Sequence, residues 1–163
     1  MPFMLSQEHH NFFSKNHFIE FDFLVSPKQC ITLHNEIIKT LKEKANPEQP
    51  LFYENLYKTF PKITELVVRN RLAYFVSELI YRKPLWLVYD KLFIYPENLF
   101  SYEIEENHDC CLFLYLKNDK KSGNGIFFKK EVPEVSFYES DTSILLLAFT
   151  YRTMPDSCPK FYI

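Results

Sequence analysis

The sequence predicts an α+β chain, helical in its first half and made of short β-strands in its second. Two patterns carry that reading. Before Pro84, proline-bounded stretches hold apolar residues at helical spacing; after it, apolar runs shorten and turn residues separate them. Composition agrees: 47 % hydrophobic and 25 % charged residues suit a globular domain and exclude disorder. Runs of helices followed by runs of strands argue a β-sandwich or barrel for the second half.

Taken in order, His17 to Phe23 alternates aromatic and polar residues, a half-buried strand. Ser26, Pro27 and Gln29 then supply an N-cap, a first-turn proline and a capping-box partner. The helix they open runs to about Lys44, with Cys30, His34, Ile37, Ile38 and Leu41 on one face. Asn46 to Pro50 breaks the chain, and Leu51 to Phe60 reads as irregular. Pro61 starts a second helical region through about Arg82, interrupted at Asn70 and ended by Pro84. Strands follow at Leu85–Tyr89, Lys91–Tyr95, Leu112–Leu116, Ile126–Phe128, Val135–Tyr138, Ile144–Phe149 and Phe161–Ile163. No repeat or linker divides the 163 residues. The expectation is one domain, 1–84 mostly helical and 85–163 β-rich.

Two glycines in the whole chain, Gly123 and Gly125, cannot build a Walker loop or a dinucleotide fingerprint. The net charge of −2 argues against nucleic acid, and the Lys117, Lys120 and Lys121 cluster reads as a solvated turn. No export signal is apparent at the N-terminus, and the longest aliphatic run, Ile144 to Phe149, is too short to span a bilayer. Cys30, Cys110, Cys111 and Cys158 include no C-x-x-C spacing and read as reduced, buried thiols of a cytoplasmic protein.

The densest polar cluster is His108-Asp109-Cys110-Cys111. On a strand, alternate side chains face opposite ways, so only His108 with Cys110, or Asp109 with Cys111, can share a site. Two such groups do not make a specific metal site alone. His9-His10 is a weaker pair, and His34 on an apolar helix face reads as a packed core histidine. Glu103, Glu105 and Glu106 read as a solvated acidic strand or loop; a strand would put Glu103 and Glu105 on one face, which leaves a carboxylate pocket open. No G-x-S-x-G nucleophile elbow occurs.

The order of segments resembles the phytanoyl-CoA dioxygenase-like family of iron(II)/2-oxoglutarate-dependent oxygenases. The similar stretches are Phe21 to Cys30 with its long helix, Asn70 to Ile80 followed by Leu85 to Pro96, Leu112 to Leu116 with Gly123 to Phe128, and Ile144 to Ile163. The resemblance implies a double-stranded β-helix, a cupin-like jelly-roll core with N-terminal helices packed outside it. It also implies a facial metal triad of His-x-Asp and a distal His, with an Arg pairing the far carboxylate of 2-oxoglutarate.

At those positions the sequence departs from the pattern. Counting from Tyr95-Pro96, the His-x-Asp position falls on Glu105-x-Asn107, and shifted counts give Asn107-x-Asp109 or His108-x-Cys110. Tyr151 takes the place of the distal histidine, Asp156 that of a following asparagine and Lys160 that of the arginine; no histidine follows His108. Tyrosine, with a free pKa of about 10, is a poor ligand for iron(II) at neutral pH. The expected protein is therefore a binding or regulatory module on an oxygenase fold with its triad not intact. Glu105, Asn107, Tyr151 and Lys160 form its vestigial pocket, and a small acidic ligand or a protein is its partner. The alternative is an oxygenase that uses iron(II) and 2-oxoglutarate with unusual ligands from Glu105, His108, Asp109 or a cysteine. A metal-responsive nucleic-acid regulator is a third reading, disfavoured by charge.

Overall fold

Serine hydroxyls start the first two helices. The Ser6 hydroxyl accepts from the His9 N–H at 3.3 Å while the Ser6 N–H donates to His9 Nδ1 at 3.0 Å. This capping box uses histidine in place of glutamate or glutamine, so the usual signature does not reveal it. The helix it opens, α1 (Gln7–Asn16), was not foreseen from sequence. Ser26 accepts from the Gln29 N–H at 3.2 Å and opens α2 (Pro27–Lys42), as its capping residues predict.

The computed structural model of the chain describes residues 4–42, 52–94, 107–129, 131 and 142–163. Between α1 and α2 lies β1 (Phe18–Phe21). Then come β2 (Phe52–Glu54), a 3₁₀ turn (Leu56–Lys58), α3 (Pro61–Arg69), α4 (Leu72–Ile80), β3 (Leu85–Ile94), β4 (Cys110–Lys117), β5 (Gly125–Phe128), β6 (Ser143–Thr150) and β7 (Lys160–Phe161). The architecture is mixed: helices against an antiparallel sheet of order β1-β5-β4-β6-β3-β2, with β7 also paired to β3.

Besides α1, the chain differs from the sequence expectation in three regions, each for a local reason. Residues 52–58 are not irregular: β2 pairs with β3 and the 3₁₀ turn follows, although three-residue elements are too short to show a period. The strands expected on either side of Asp90 are one, β3, because Asp90 is satisfied from outside the sheet. β7 begins one residue before the expected Phe161 and ends there, leaving Tyr162 exposed. The break at Asn70 is real: Arg71, at φ 55°, separates α3 from α4. The strand expected at Val135–Tyr138 lies outside the described residues.

Alternation along the strands builds two cores. Cys110, Leu112, Leu114 and Leu116 of β4, with Leu145, Leu147 and Phe149 of β6, face the helices and meet Ile37, Ile63, Leu72 and Val76. Cys111, Phe113 and Tyr115, with Ile144, Leu146 and Ala148, face the other way and are buried too. A sheet buried on both faces reads as continuous apolar runs rather than an alternating pattern. His34 is a packed core histidine, its Nε2 2.9 Å from Ser143 Oγ, which ties α2 to the start of β6. All four cysteines are free and buried.

The turn between β4 and β5 holds both glycines. Gly123 has φ +91°, and a Cβ there would overlap the carbonyl oxygen of Val25. A Cβ on Gly125 would lie 2.7 Å from Leu24 Cδ2 and 2.9 Å from Leu112 Cδ1, both ends of movable side chains. Gly123→Ala should therefore cost more than about 3 kcal/mol, because backbone must move and the dihedral is strained. Gly125→Ala should cost about 1–3 kcal/mol, an overpacking penalty. Urea unfolding of the two variants checks the order; equal costs would contradict the close-approach argument.

Candidate functional site

His108, Asp109, Cys110 and Tyr151 lie at the adjoining ends of β3, β4 and β6, but the side chains of the first three diverge. His108 precedes β4 and is buried; its Nε2 lies 3.1 Å from the Lys129 carbonyl oxygen and its Nδ1 3.3 Å from Tyr89 Oη. A carbonyl only accepts, so Nε2 carries the hydrogen, and in the neutral ring Nδ1 accepts from the Tyr89 hydroxyl. Both ring nitrogens are thus engaged by protein.

Asp109, one residue on, serves another neighbour. Its Oδ2 accepts from the Thr150 hydroxyl at 2.6 Å and the Tyr151 N–H at 3.4 Å, and Arg152 lies 3.5 Å from Oδ1. The carboxylate thus fastens the end of β6 to the start of β4. Cys110 belongs to the helix-side core, where burial pushes its thiol up to about 12. Cys111 faces the opposite core, and burial raises it as well. Among the described residues no group of three or more His, Cys, Asp or Glu side chains could hold a metal ion.

Of the four residues of the expected vestigial pocket, Asn107, Tyr151 and Lys160 are among those described. Glu105, like Glu103, lies outside the described residues, and Asn107 is exposed. Tyr151 is exposed too, with the Arg82 guanidinium 5.5 Å from its ring centre. Lys160 sits across from Trp86 in the β3–β7 pairing, its ammonium 5.0 Å from the Trp86 ring and 4.7 Å from that of Tyr162. Asp156 is exposed in the loop before β7. The donors among the described residues do not fit a 2-His-1-carboxylate iron centre: His108 spends both ring nitrogens on protein partners, and the Tyr151 ring lies against the Arg82 guanidinium.

Sequence reading missed the polar residues inside β3. A bulge between Leu87 and Tyr89 sends Val88, Tyr89 and Phe93 to the face opposite the helices, where the Lys91 ammonium lies 5.1 Å from the Tyr89 ring centre. Asp90 points to the helix side and accepts from the Leu56 and Tyr57 N–H groups, each at 2.8 Å. The signal was visible: adjacent opposite charges in the middle of an apolar strand call for a partner on each face.

Comparison with known proteins now fixes the lineage. The family model described as "Domain of unknown function (DUF5070)" matches residues 1–155. The chain belongs to that family. Among solved structures, CT296 from Chlamydia trachomatis is similar at 28 % identity, covering 93 % of this chain and 99 % of that one, with a TM-score of 0.76. The non-heme alpha-ketoglutarate-dependent carbocyclase SnoK from nogalamycin biosynthesis superposes with a TM-score of 0.66 at 9 % identity, over 89 % of this chain and 83 % of that one. HygX from Streptomyces hygroscopicus, with nickel and 2-oxoglutarate bound, gives 0.64 at 12 % identity, over 90 % and 87 %. At such identities these two enzymes establish the fold alone. No curated protein matches the sequence. The DUF5070 chain thus has a fold like that of iron/2-oxoglutarate oxygenases, and no described helix is long and apolar enough to cross a membrane.

Asp90 yields a pH prediction. Burial raises its carboxyl from 3.8 to about 6, against the opposing pull of the Tyr57 and Leu56 N–H donors. Between those values the folded chain holds a proton that the unfolded chain has released. This group therefore favours folding at low pH, and its contribution is lost as pH rises through that window, by about 3 kcal/mol in all. Relative to Asp90→Asn, the wild type should lose urea resistance from about pH 4 to 6.5. A pH-independent difference between the two proteins would refute the assignment.

Proposed function

We propose that this DUF5070 chain is a binding or regulatory module on a double-stranded β-helix of the iron(II)/2-oxoglutarate oxygenase type, with its metal triad not intact. The carrying observation is His108. The ring that would have to supply a nitrogen to a metal instead donates to the Lys129 carbonyl and accepts from Tyr89. The face away from the helices supports the same reading. In a jelly roll that face turns inward, and here Phe93, Phe113, Phe128, Ile144 and Leu146 fill it; Phe113 and Phe128 have ring centres 4.7 Å apart. Large apolar side chains occupy the space where a polar cosubstrate needs room and polar partners.

On this reading the chain is a single domain, and the phytanoyl-CoA dioxygenase-like enzymes are the branch it resembles in the order of its segments. No resident iron or 2-oxoglutarate is required. Tyr89, His108 and Asp109 act by holding the strand ends together, and recognition falls to surfaces rather than to the barrel interior. Titration calorimetry with manganese(II) as the iron surrogate, with and without 2-oxoglutarate, tests it. The expected result is no one-site isotherm for either. A stoichiometric manganese site strengthened by 2-oxoglutarate would overturn the proposal and restore an oxygenase with unusual ligands.

A further inference from the structure

A cavity on the helical side of the sheet combines an apolar lining with cationic side chains. It lies between the α3–α4 corner and the residues that form and follow β7, with a volume of about 520 Å³. That falls within the roughly 300–1,000 Å³ range of small-ligand sites. Its floor is apolar: Val67, Ala73 and Phe161 are buried there. Its rim carries Val68, Tyr162 and Ile163, which are 60 %, 82 % and 39 % exposed and group three large apolar side chains at one place. Scattered exposed apolar residues are ordinary, whereas a cluster around a cavity marks a binding surface.

Among the described residues that line the cavity no side chain is acidic, and two are cationic, Arg71 and Lys160. Each rests on aromatic faces: the Arg71 guanidinium is 4.3 Å from the Tyr74 ring centre, and Lys160 lies between Trp86 and Tyr162. Neither has an ion-pair partner among the described residues. Ring contacts orient a cation while leaving hydrogen-bond donors for an anion. Two placed cations at the mouth of an apolar cavity match a ligand with an anionic head and a hydrocarbon body.

We propose that this cavity binds an amphipathic anion, with the carboxylate or phosphate head between Arg71 and Lys160 and the chain over Val67, Ala73 and Phe161. The inference is independent of the state of the metal triad. It gives Lys160 an anion to meet outside the pocket that the sequence resemblance assigned to it. The same head chemistry occurs in free fatty acids and in acidic lipid headgroups.

Trp86, the only tryptophan in the chain, touches the Lys160 ammonium and reports on the site. Dodecanoate, kept monomeric, should change Trp86 emission saturably and give a matching calorimetric isotherm. Dodecanol and dodecyltrimethylammonium should bind at least about tenfold more weakly, since they lack the charged-group hydrogen bonds. Arg71→Gln and Lys160→Gln should each weaken dodecanoate by about tenfold by calorimetry, with unchanged thermal unfolding. Lys120→Gln, in the β4–β5 turn, should leave it unaltered. Flotation with phosphatidylcholine vesicles, with and without phosphatidylglycerol, separates the sources. Co-flotation dependent on phosphatidylglycerol assigns a lipid headgroup, and binding of monomeric dodecanoate without it assigns a free amphiphile. Equal binding of dodecanol, indifference to both Gln variants, or binding in neither format would overturn the proposal.

Discussion

The β4–β5 turn settles against the segment that enters α2, and the rest of the chain is arranged around that contact. The Val25 N–H donates to the Gly123 carbonyl at 3.0 Å, and Gly123 lies so close that a side chain has no place there. Asn124 completes the clasp: its Oδ1 accepts from the Phe23 N–H at 3.0 Å, and its Nδ2 donates to Asp22 at 2.9 Å. These bonds join parts of the chain about a hundred residues apart, so their loop-closure cost must be met by the packing they permit. With the turn seated, β1 pairs with β5 and α2 lies across β4, which brings the helical half onto the sheet. They also hold Phe23 at φ 54°, a conformation a bulky residue takes only when its surroundings impose it.

Much of this was legible in the residues. Ser26 and Pro27 announced α2, Pro61 announced α3, Asn70 marked the corner, and apolar runs gave β4, β5 and β6 to within two residues. What escaped was short or satisfied from a distance. The histidine capping box of α1 stands outside the usual signature, and β2 exists only because β3 offers it an edge. Asp90 looked like a break between strands, since its partners are set by the tertiary fold. The same limit governs the site. Spacing placed His108 and Asp109 next to one another, whereas only the fold shows His108 turned toward Tyr89 and Asp109 toward Thr150.

The sheet thus does two separate jobs. Its helix-side face carries the contacts that order the N-terminal half. Its opposite face is filled with aromatic and aliphatic side chains, and at its edge His108 is hydrogen-bonded to Tyr89 and to the Lys129 carbonyl. A fold shared with enzymes that hold a metal and a cosubstrate can be kept while its interior becomes ordinary core, because packing and hydrogen bonding supply cohesion in either case. On the proposed reading, recognition belongs to the periphery, at helix corners and strand ends.

Cys110 and Cys111 illustrate how far the two faces are insulated. Adjacent in sequence, they project into different cores on either side of one strand, so a disulfide between them would have to rupture the sheet. Burial holds the Cys110 and Cys30 thiols near 12 and Cys111 well above its ordinary range, which leaves almost no thiolate at neutral pH. A maleimide or dithionitrobenzoate reagent can then reach these three sulfurs only when the layers separate. Labelling of these thiols therefore reports how often the layers that enclose them open.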